Sequence, residues 1–111
     1  MNKRLRSLVS GACMTIFLAL IGCASIKRMP VADEVVGQEE EADVESLRRG
    51  RTLAVIECST CHRNYWPEEF SPNQWSDIAQ NMGRRANLTG PQTQDLRAYL
   101  MAAARSEATR N

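Results

Sequence analysis

The chain has 111 residues, with 14 lysines and arginines, 13 aspartates and glutamates, one histidine and four cysteines. This length accommodates one small domain and excludes a multidomain enzyme. A formal charge of +1 gives no overall basis for nucleic-acid binding, which is typical of strongly basic domains.

Residues 1–22 have the composition of a secretory signal peptide that is cleaved from the mature protein. They contain three basic residues near their start (Lys3, Arg4 and Arg6) and no acid, and an apolar run follows at residues 8–21. This run is shorter than the roughly 20 apolar residues of a membrane-spanning helix. An uncleaved anchor and a plain secreted protein are therefore kept as the weaker alternatives.

The signal ends in Leu20-Ile21-Gly22-Cys23, which resembles the lipobox of bacterial lipoproteins. In that family the cysteine thiol is acylated and becomes the first residue of the mature chain, so the resemblance implies lipidation of Cys23. Two or more acyl chains hold a protein stably on a bilayer. The next residue is Ala24 rather than aspartate, which implies a periplasm-facing lipoprotein of the outer membrane rather than the inner one.

Residues 23–43 are predicted to form an acidic, flexible tether. They lack sustained hydrophobic periodicity and contain an acidic run at residues 39–41. About 20 residues span roughly 65–70 Å when fully extended. Such a tether would let a small domain sample partners near the membrane.

The folded domain is predicted to cover residues 44–105, with a frayed C-terminus at residues 106–111. Its first helical pattern runs from Val44 to Cys58. Gly50 lies in the middle of this helix, where glycine costs about 1 kcal/mol relative to alanine. We therefore expect another backbone segment to approach the helix closely at Gly50.

Cys58-Ser59-Thr60-Cys61-His62 has the Cys-x-x-Cys-His pattern of c-type haem attachment. Two cysteines three positions apart lie on one side of a single helical turn, within reach of both vinyl groups of one porphyrin. His62 then reaches the iron as the proximal axial ligand. The motif predicts one covalently bound haem c, with backbone near Pro67 accepting the other ring N–H of His62.

Two alternatives compete for the same cysteines. A structural disulfide or a thioredoxin-like redox pair could use Cys58 and Cys61, but no predicted strand precedes them. A structural zinc site needs a fourth protein ligand, and the sequence offers no second cysteine or histidine pair.

The second helix is predicted to begin at Ser71-Pro72 and to end at Gly83. One face of it carries apolar side chains at helical spacing, namely Trp75, Ile78, Ala79 and Met82. With the sole histidine used at position 62, methionine is the next natural axial ligand. Met82 at the helix end and Met101 remain after the motif, and Met101 is interpreted as a packing residue.

The third helix is predicted to begin at a capping box, with Thr89 as the cap and Gln92 three residues later. Its apolar face comprises Leu96, Tyr99, Leu100 and Ala103. No alternating apolar run of useful length occurs, so the sequence predicts an all-α fold.

Residues 44–105 resemble a small mono-haem cytochrome c of the class I type. In that family a glycine lies eight residues before the first haem cysteine, as Gly50 does here, and the last helix carries the pattern found at residues 95–100. The family's axial methionine lies fourteen residues before the leucine of that helix, which implies Met82. The resemblance implies about three helices wrapped around one haem, with the first and last helices crossing at Gly50.

The expected function is transfer of single electrons by a haem whose axial ligands are His62 and Met82. Two filled axial positions imply no catalysis and no small-molecule substrate. The expected partners are redox proteins and, through Cys23, the membrane, but no nucleic acid. Two alternatives are a gas-binding or sensor haem, in which Met82 is displaced, and a haem-bearing subunit of a larger oxidoreductase.

The predicted domain is poor in large apolar side chains. Residues 44–105 contain 18 apolar residues other than alanine, including the two haem-linked cysteines. This is meagre for a self-sufficient core at this size. We therefore expect the haem to supply the apolar centre and the apo form to be largely unfolded.

Overall fold

The computed structural model describes residues 27–35 and 43–110. Within these residues the chain forms four α-helices and no strand: α1 Ala32–Val35, α2 Val44–Ile56, α3 Pro72–Arg85 and α4 Gly90–Arg110. Two 3₁₀ turns, Cys58–Thr60 and Pro67–Glu69, connect α2 to α3. The predicted small all-α fold is confirmed. The predicted signal peptide, Cys23 and residues 36–42 of the predicted tether lie outside the described residues.

None of the helices in the described part of the chain has both the length and the hydropathy of a membrane span.

The two predicted caps are present at the starts of α3 and α4. The Ser71 hydroxyl accepts the Gln74 N–H at 3.3 Å, while the Gln74 side chain accepts the Ser71 N–H at 2.9 Å. Thr89 and Gln92 make the same reciprocal pair at 3.3 and 2.9 Å. These bonds satisfy backbone donors that have no partner within the helix.

The end of α3 differs from the prediction, because the helix continues past Gly83 to Arg85. Asn87 takes a left-handed conformation with φ of 54°, and the Leu88 N–H bonds the Gly83 carbonyl at 2.9 Å. This is the Schellman arrangement, with asparagine in the position that glycine usually takes. Gly83 instead serves packing, since a Cβ there would lie 2.6 Å from the Thr93 hydroxyl oxygen.

Helices α2 and α4 cross in direct backbone contact at Gly50. A Cβ built on Gly50 would lie 2.0 Å from the carbonyl oxygen of Asp95 and 2.7 Å from the Cβ of Tyr99. No side chain larger than hydrogen fits between them at these distances. The close approach expected at Gly50 is confirmed.

The core lies where α2, α3 and α4 meet. Its buried residues are Leu47 and Ala54 of α2, Trp75 and Ala79 of α3, and Leu96, Tyr99, Leu100, Ala102, Ala103 and Ala104 of α4. Helix α4 runs on to Arg110 instead of fraying after residue 105, and Ser106 is still buried. Alanine has the highest helix propensity, and burial of this alanine run adds tertiary packing that keeps the helix formed.

Residues 27–35, which we call the strap, pack against α2 and α4. Met29, Ala32 and Val35 are buried at three-residue spacing, and the Tyr99 hydroxyl donates to the Pro30 carbonyl at 2.7 Å. The structure here differs from the expected tether at residues 23–43. The strap is held because its apolar face meets the core and its carbonyls find buried donors.

A charged cluster joins α2 to α4 beside the crossing. The Arg49 Nε donates to Asp95 at 2.7 Å, and the Ser46 hydroxyl donates to the same carboxylate at 2.5 Å. The hydrogen bond from Arg49, and then that from Ser46, hold the pKa of Asp95 below its usual value, against the opposing effect of partial burial. The ionised carboxylate therefore favours the folded state.

Asp95→Asn is expected to lower the free energy of unfolding at neutral pH. Because the pKa of Asp95 is lower in the folded state, its stabilisation is present above the unfolded value of about 3.9 and is lost as pH falls through the folded value. Urea unfolding at pH 7 and pH 3 should therefore show a difference between wild type and Asp95→Asn that shrinks at the lower pH. The control is Asp77→Asn, at an exposed position on α3, and an equal loss in both variants would contradict the prediction.

Candidate functional site

A cavity of about 310 Å³ lies between the strap, the three long helices and the connection from α2 to α3. Thirteen residues line it: Met29, Ala54, Cys58, His62, Asn64, Tyr65, Phe70, Trp75, Ile78, Ala79, Met82, Leu96 and Leu100. Nearly all of this wall is apolar or aromatic. The cavity can therefore hold a group of low polarity and keep water from most of its surface.

Three of the four residues predicted to hold the haem line this one cavity. Cys58 and His62 come from the end of α2 and the turn after it, and Met82 comes from α3. Cys61 is exposed and does not line the wall. The structure thus places the thioether of Met82 in the same cavity as the thiol and the imidazole of the motif, which lies about 20 residues earlier in the sequence.

The cysteine-bearing turn is fixed by the end of α2. The Ser59 hydroxyl donates to the Ile56 carbonyl at 2.9 Å, and the Thr60 hydroxyl donates to the Glu57 carbonyl at 2.7 Å. These bonds satisfy carbonyls that the helix leaves without partners. Cys58 is half-buried, and its burial, with the nearby charge of Glu57, raises the pKa of its thiol.

The His62 ring is held in the form that a metal ligand needs. Its Nδ1 lies 2.6 Å from the Arg63 carbonyl oxygen, which can only accept, so Nδ1 carries the hydrogen. In the neutral ring, Nε2 is then the nitrogen that carries the lone pair and can coordinate a metal. The expectation that backbone near Pro67 would accept from His62 is wrong, because the Arg63 carbonyl takes that role. The Pro67 carbonyl accepts the indole N–H of Trp75 at 2.8 Å, a buried donor that needs a partner.

Four rings follow one another along one side of the cavity. The ring centroids of His62 and Tyr65 are 5.3 Å apart, those of Tyr65 and Phe70 are 5.5 Å apart, and those of Phe70 and Trp75 are 5.1 Å apart. The tilted and edge-on geometries are the favourable ones for aromatic pairs. Arg63 lies over the Tyr65 ring and pairs with Glu69 at 3.0 Å, so this arginine stabilises the α2–α3 connection.

Sequence reasoning missed Met29, Asn64, Tyr65 and Phe70 in the cavity wall. One sequence pattern could have pointed to Met29: residues 29, 32 and 35 are apolar at three-residue spacing, which is typical of a buried helical face. No such pattern pointed to Asn64. Its Oδ1 is the one side-chain oxygen or nitrogen in the described chain that is buried without a hydrogen-bond partner, and it marks a polar point in an apolar wall.

The residues of the cavity fit a haem c. The His62 Nε2 is free to bind iron, both cysteines of the attachment motif are free thiols, and two methionine thioethers line the same wall. Thioether and imidazole are established axial donors, and an apolar pocket suits a porphyrin ring.

A family model described as dihaem cytochrome c matches residues 54–111. The match covers slightly more than half of the chain and includes the attachment motif, α3 and α4. The sequence itself holds one Cys-x-x-Cys-His motif and one histidine. No curated protein and no solved structure matches the chain.

Proposed function

The chain belongs to the dihaem cytochrome c family, and from this premise we propose that it carries single electrons on one covalently bound haem c. The observation that supports this most directly is the shared cavity of Cys58, His62 and Met82. One haem is proposed because the sequence contains one attachment motif and one histidine.

Each residue of the site has a distinct role in this proposal. Cys58 and Cys61 would hold the porphyrin through thioether bonds to its vinyl groups, and His62, through Nε2, and Met82, through its thioether sulfur, would be the protein ligands of the iron. When bound, the haem iron supplies the one-electron couple between Fe(III) and Fe(II). The apolar wall would keep water from most of the haem and so disfavour the more highly charged Fe(III) state. With both His62 and Met82 bound to the iron, no position would remain for a substrate.

The direct test is a visible spectrum with a pyridine haemochrome assay on the full chain, matured by a cytochrome c biogenesis system. The expected result is one haem c per chain. Either no covalent haem or two haems per chain would contradict the proposal.

Met82→Ala is expected to abolish the weak far-red band of a methionine–Fe(III) bond while the covalent haem is retained. The reason is that alanine removes the thioether sulfur but leaves the attachment motif intact. The matched control is Met101→Ala, because Met101 is a half-buried methionine of α4 that does not line the cavity. A Met82→Ala protein that keeps the band would assign the sixth ligand elsewhere.

We further propose that the protein is lipid-anchored through Cys23 in the bacterial envelope and exchanges electrons with redox proteins there. The basic-then-apolar signal ending in the lipobox-like tetrapeptide supports this. The mature protein should partition into the detergent phase of a Triton X-114 extraction, and partitioning into the aqueous phase would contradict the anchor.

A further inference from the structure

A second methionine lies in the cavity wall, contributed by the strap. Met29 is only 6% exposed, and it lines the same cavity as His62 and Met82. It precedes the attachment motif by 29 residues, so its presence there depends entirely on the docking of the strap. Its role is separate from that of the axial ligand proposed above.

The strap is fastened through two consecutive backbone carbonyls, those of Met29 and Pro30. The buried Tyr99 hydroxyl and the Arg51 Nε both donate to the Pro30 carbonyl, at 2.7 and 3.0 Å. A second Arg51 nitrogen donates to the Met29 carbonyl at 3.2 Å. These bonds place the Met29 side chain at the cavity independently of what that side chain is.

Salt bridges extend the attachment along the strap. Lys27 pairs with Glu68 of the α2–α3 connection, and Asp33 pairs with Arg48 of α2 at 3.0 Å. Because these pairs are exposed, each adds little to stability. They add contacts at Lys27 and Asp33, while the buried and part-buried bonds to the Met29 and Pro30 carbonyls supply most of the restraint.

We propose that Met29 covers the haem cavity, keeps water from the haem and thereby raises its reduction potential, while Met82 remains the axial ligand. This role rests on the proposed haem function. The physical reason is that Fe(III) haem carries one more positive charge than Fe(II) haem, so water admitted to the cavity stabilises the oxidised state. Burial and local dielectric are among the means by which a protein sets a haem potential.

The test is a redox titration of the haem-loaded full chain in three forms: wild type, Met29→Ser and Met29→Leu. Serine removes the apolar cover, so the ratio of Fe(III) to Fe(II) at a fixed solution potential should rise several-fold, each tenfold rise being a shift of about 59 mV. Leucine restores apolar volume without a sulfur atom and should keep both the wild-type potential and the far-red band.

Tyr99→Phe provides a second variant should Met29→Ser fail to fold. It removes one hydroxyl, whose acceptor is the Pro30 carbonyl, and keeps the ring. We expect a smaller shift in the same direction as for Met29→Ser. Met101→Ser is the matched control, since Met101 lies outside the cavity wall, and it should leave the potential unchanged.

The outcomes separate this inference from the proposed function. Covalent haem with an unshifted potential in both Met29→Ser and Tyr99→Phe would overturn the role of Met29 alone. A far-red band lost in Met29→Leu but kept in Met82→Ala would overturn it by making Met29 the ligand. A wild-type chain without haem would overturn the proposed function and the inference with it.

Discussion

Gly50→Ala is expected to break the packing of α2 on α4 and to reduce the yield of haem-loaded protein severely. The added Cβ would lie 2.0 Å from the Asp95 carbonyl oxygen, 2.6 Å from its carbon and 2.7 Å from the Tyr99 Cβ. All three atoms belong to the backbone or are attached directly to it, so a side-chain rotation gives no relief. Overpacking typically costs about 1–3 kcal/mol and sometimes more. Because two helix backbones must move apart here, we expect the loss of stability to lie at or above the top of that range.

The gain in helix propensity does not offset this cost, because alanine is favoured over glycine by only about 1 kcal/mol. Urea unfolding and haem content of the purified protein measure the effect. Gly90→Ala is the matched control, because a Cβ at Gly90 meets no atom within 4 Å outside its own chain neighbours. A side chain directly before Pro91 disfavours the helical conformation, so a loss of stability far smaller than that of Gly50→Ala is expected. Equal unfolding midpoints for the two variants would show that the α2–α4 crossing tolerates a methyl group.

The Cys58→Ala/Cys61→Ala double variant is expected to lose most of its helix content and its cooperative melting. Without covalent haem the domain must close or hydrate a cavity of about 310 Å³. At roughly 24 cal/mol per Å³, a cavity of that volume costs about 7 kcal/mol, which is similar to the whole stability of about 5–15 kcal/mol of a typical domain. Circular dichroism with thermal melting measures the result.

Ser59→Ala/Thr60→Ala is the control for this variant, since it alters the same exposed turn but keeps both cysteines. It should load haem and melt close to wild type, apart from the small loss of two hydroxyl bonds to backbone carbonyls. Native helix content with a sharp melt in the double-cysteine variant would show that the polypeptide folds by itself.

Features that depend on neighbouring residues were predictable from the sequence. The caps at Ser71 and Thr89 are made by residues three apart, so the sequence pattern contains the whole interaction. The attachment motif is equally local. Gly50 could be interpreted because an isolated glycine inside a helix needs a reason, and the contact with Asp95 supplies it.

Features that depend on distant partners were not predictable in this way. The hydrogen bond from the Tyr99 hydroxyl to the Pro30 carbonyl joins residues 69 positions apart. The apolar spacing in the strap does not predict this bond. Backbone near Pro67 was expected to accept from His62, but the Pro67 carbonyl accepts from the Trp75 indole instead, because burial in the folded state decides which donor takes an acceptor. The packing role of Gly83 was not predictable for the same reason, since Thr93, which lies closest to it, belongs to the next helix.

Docking of the strap also changes how far the haem domain can travel from a bilayer. An unbroken tether to residue 43 would allow an excursion of roughly 65–70 Å. With residues 27–35 packed on the domain, only Ala24, Ser25 and Ile26 separate the proposed lipidated Cys23 from the strap. Four Cα–Cα steps span at most about 14 Å. If the chain is lipid-anchored as proposed, the domain would stay close to the lipid headgroups, and proteins that exchange electrons with it would have to meet it at the membrane surface.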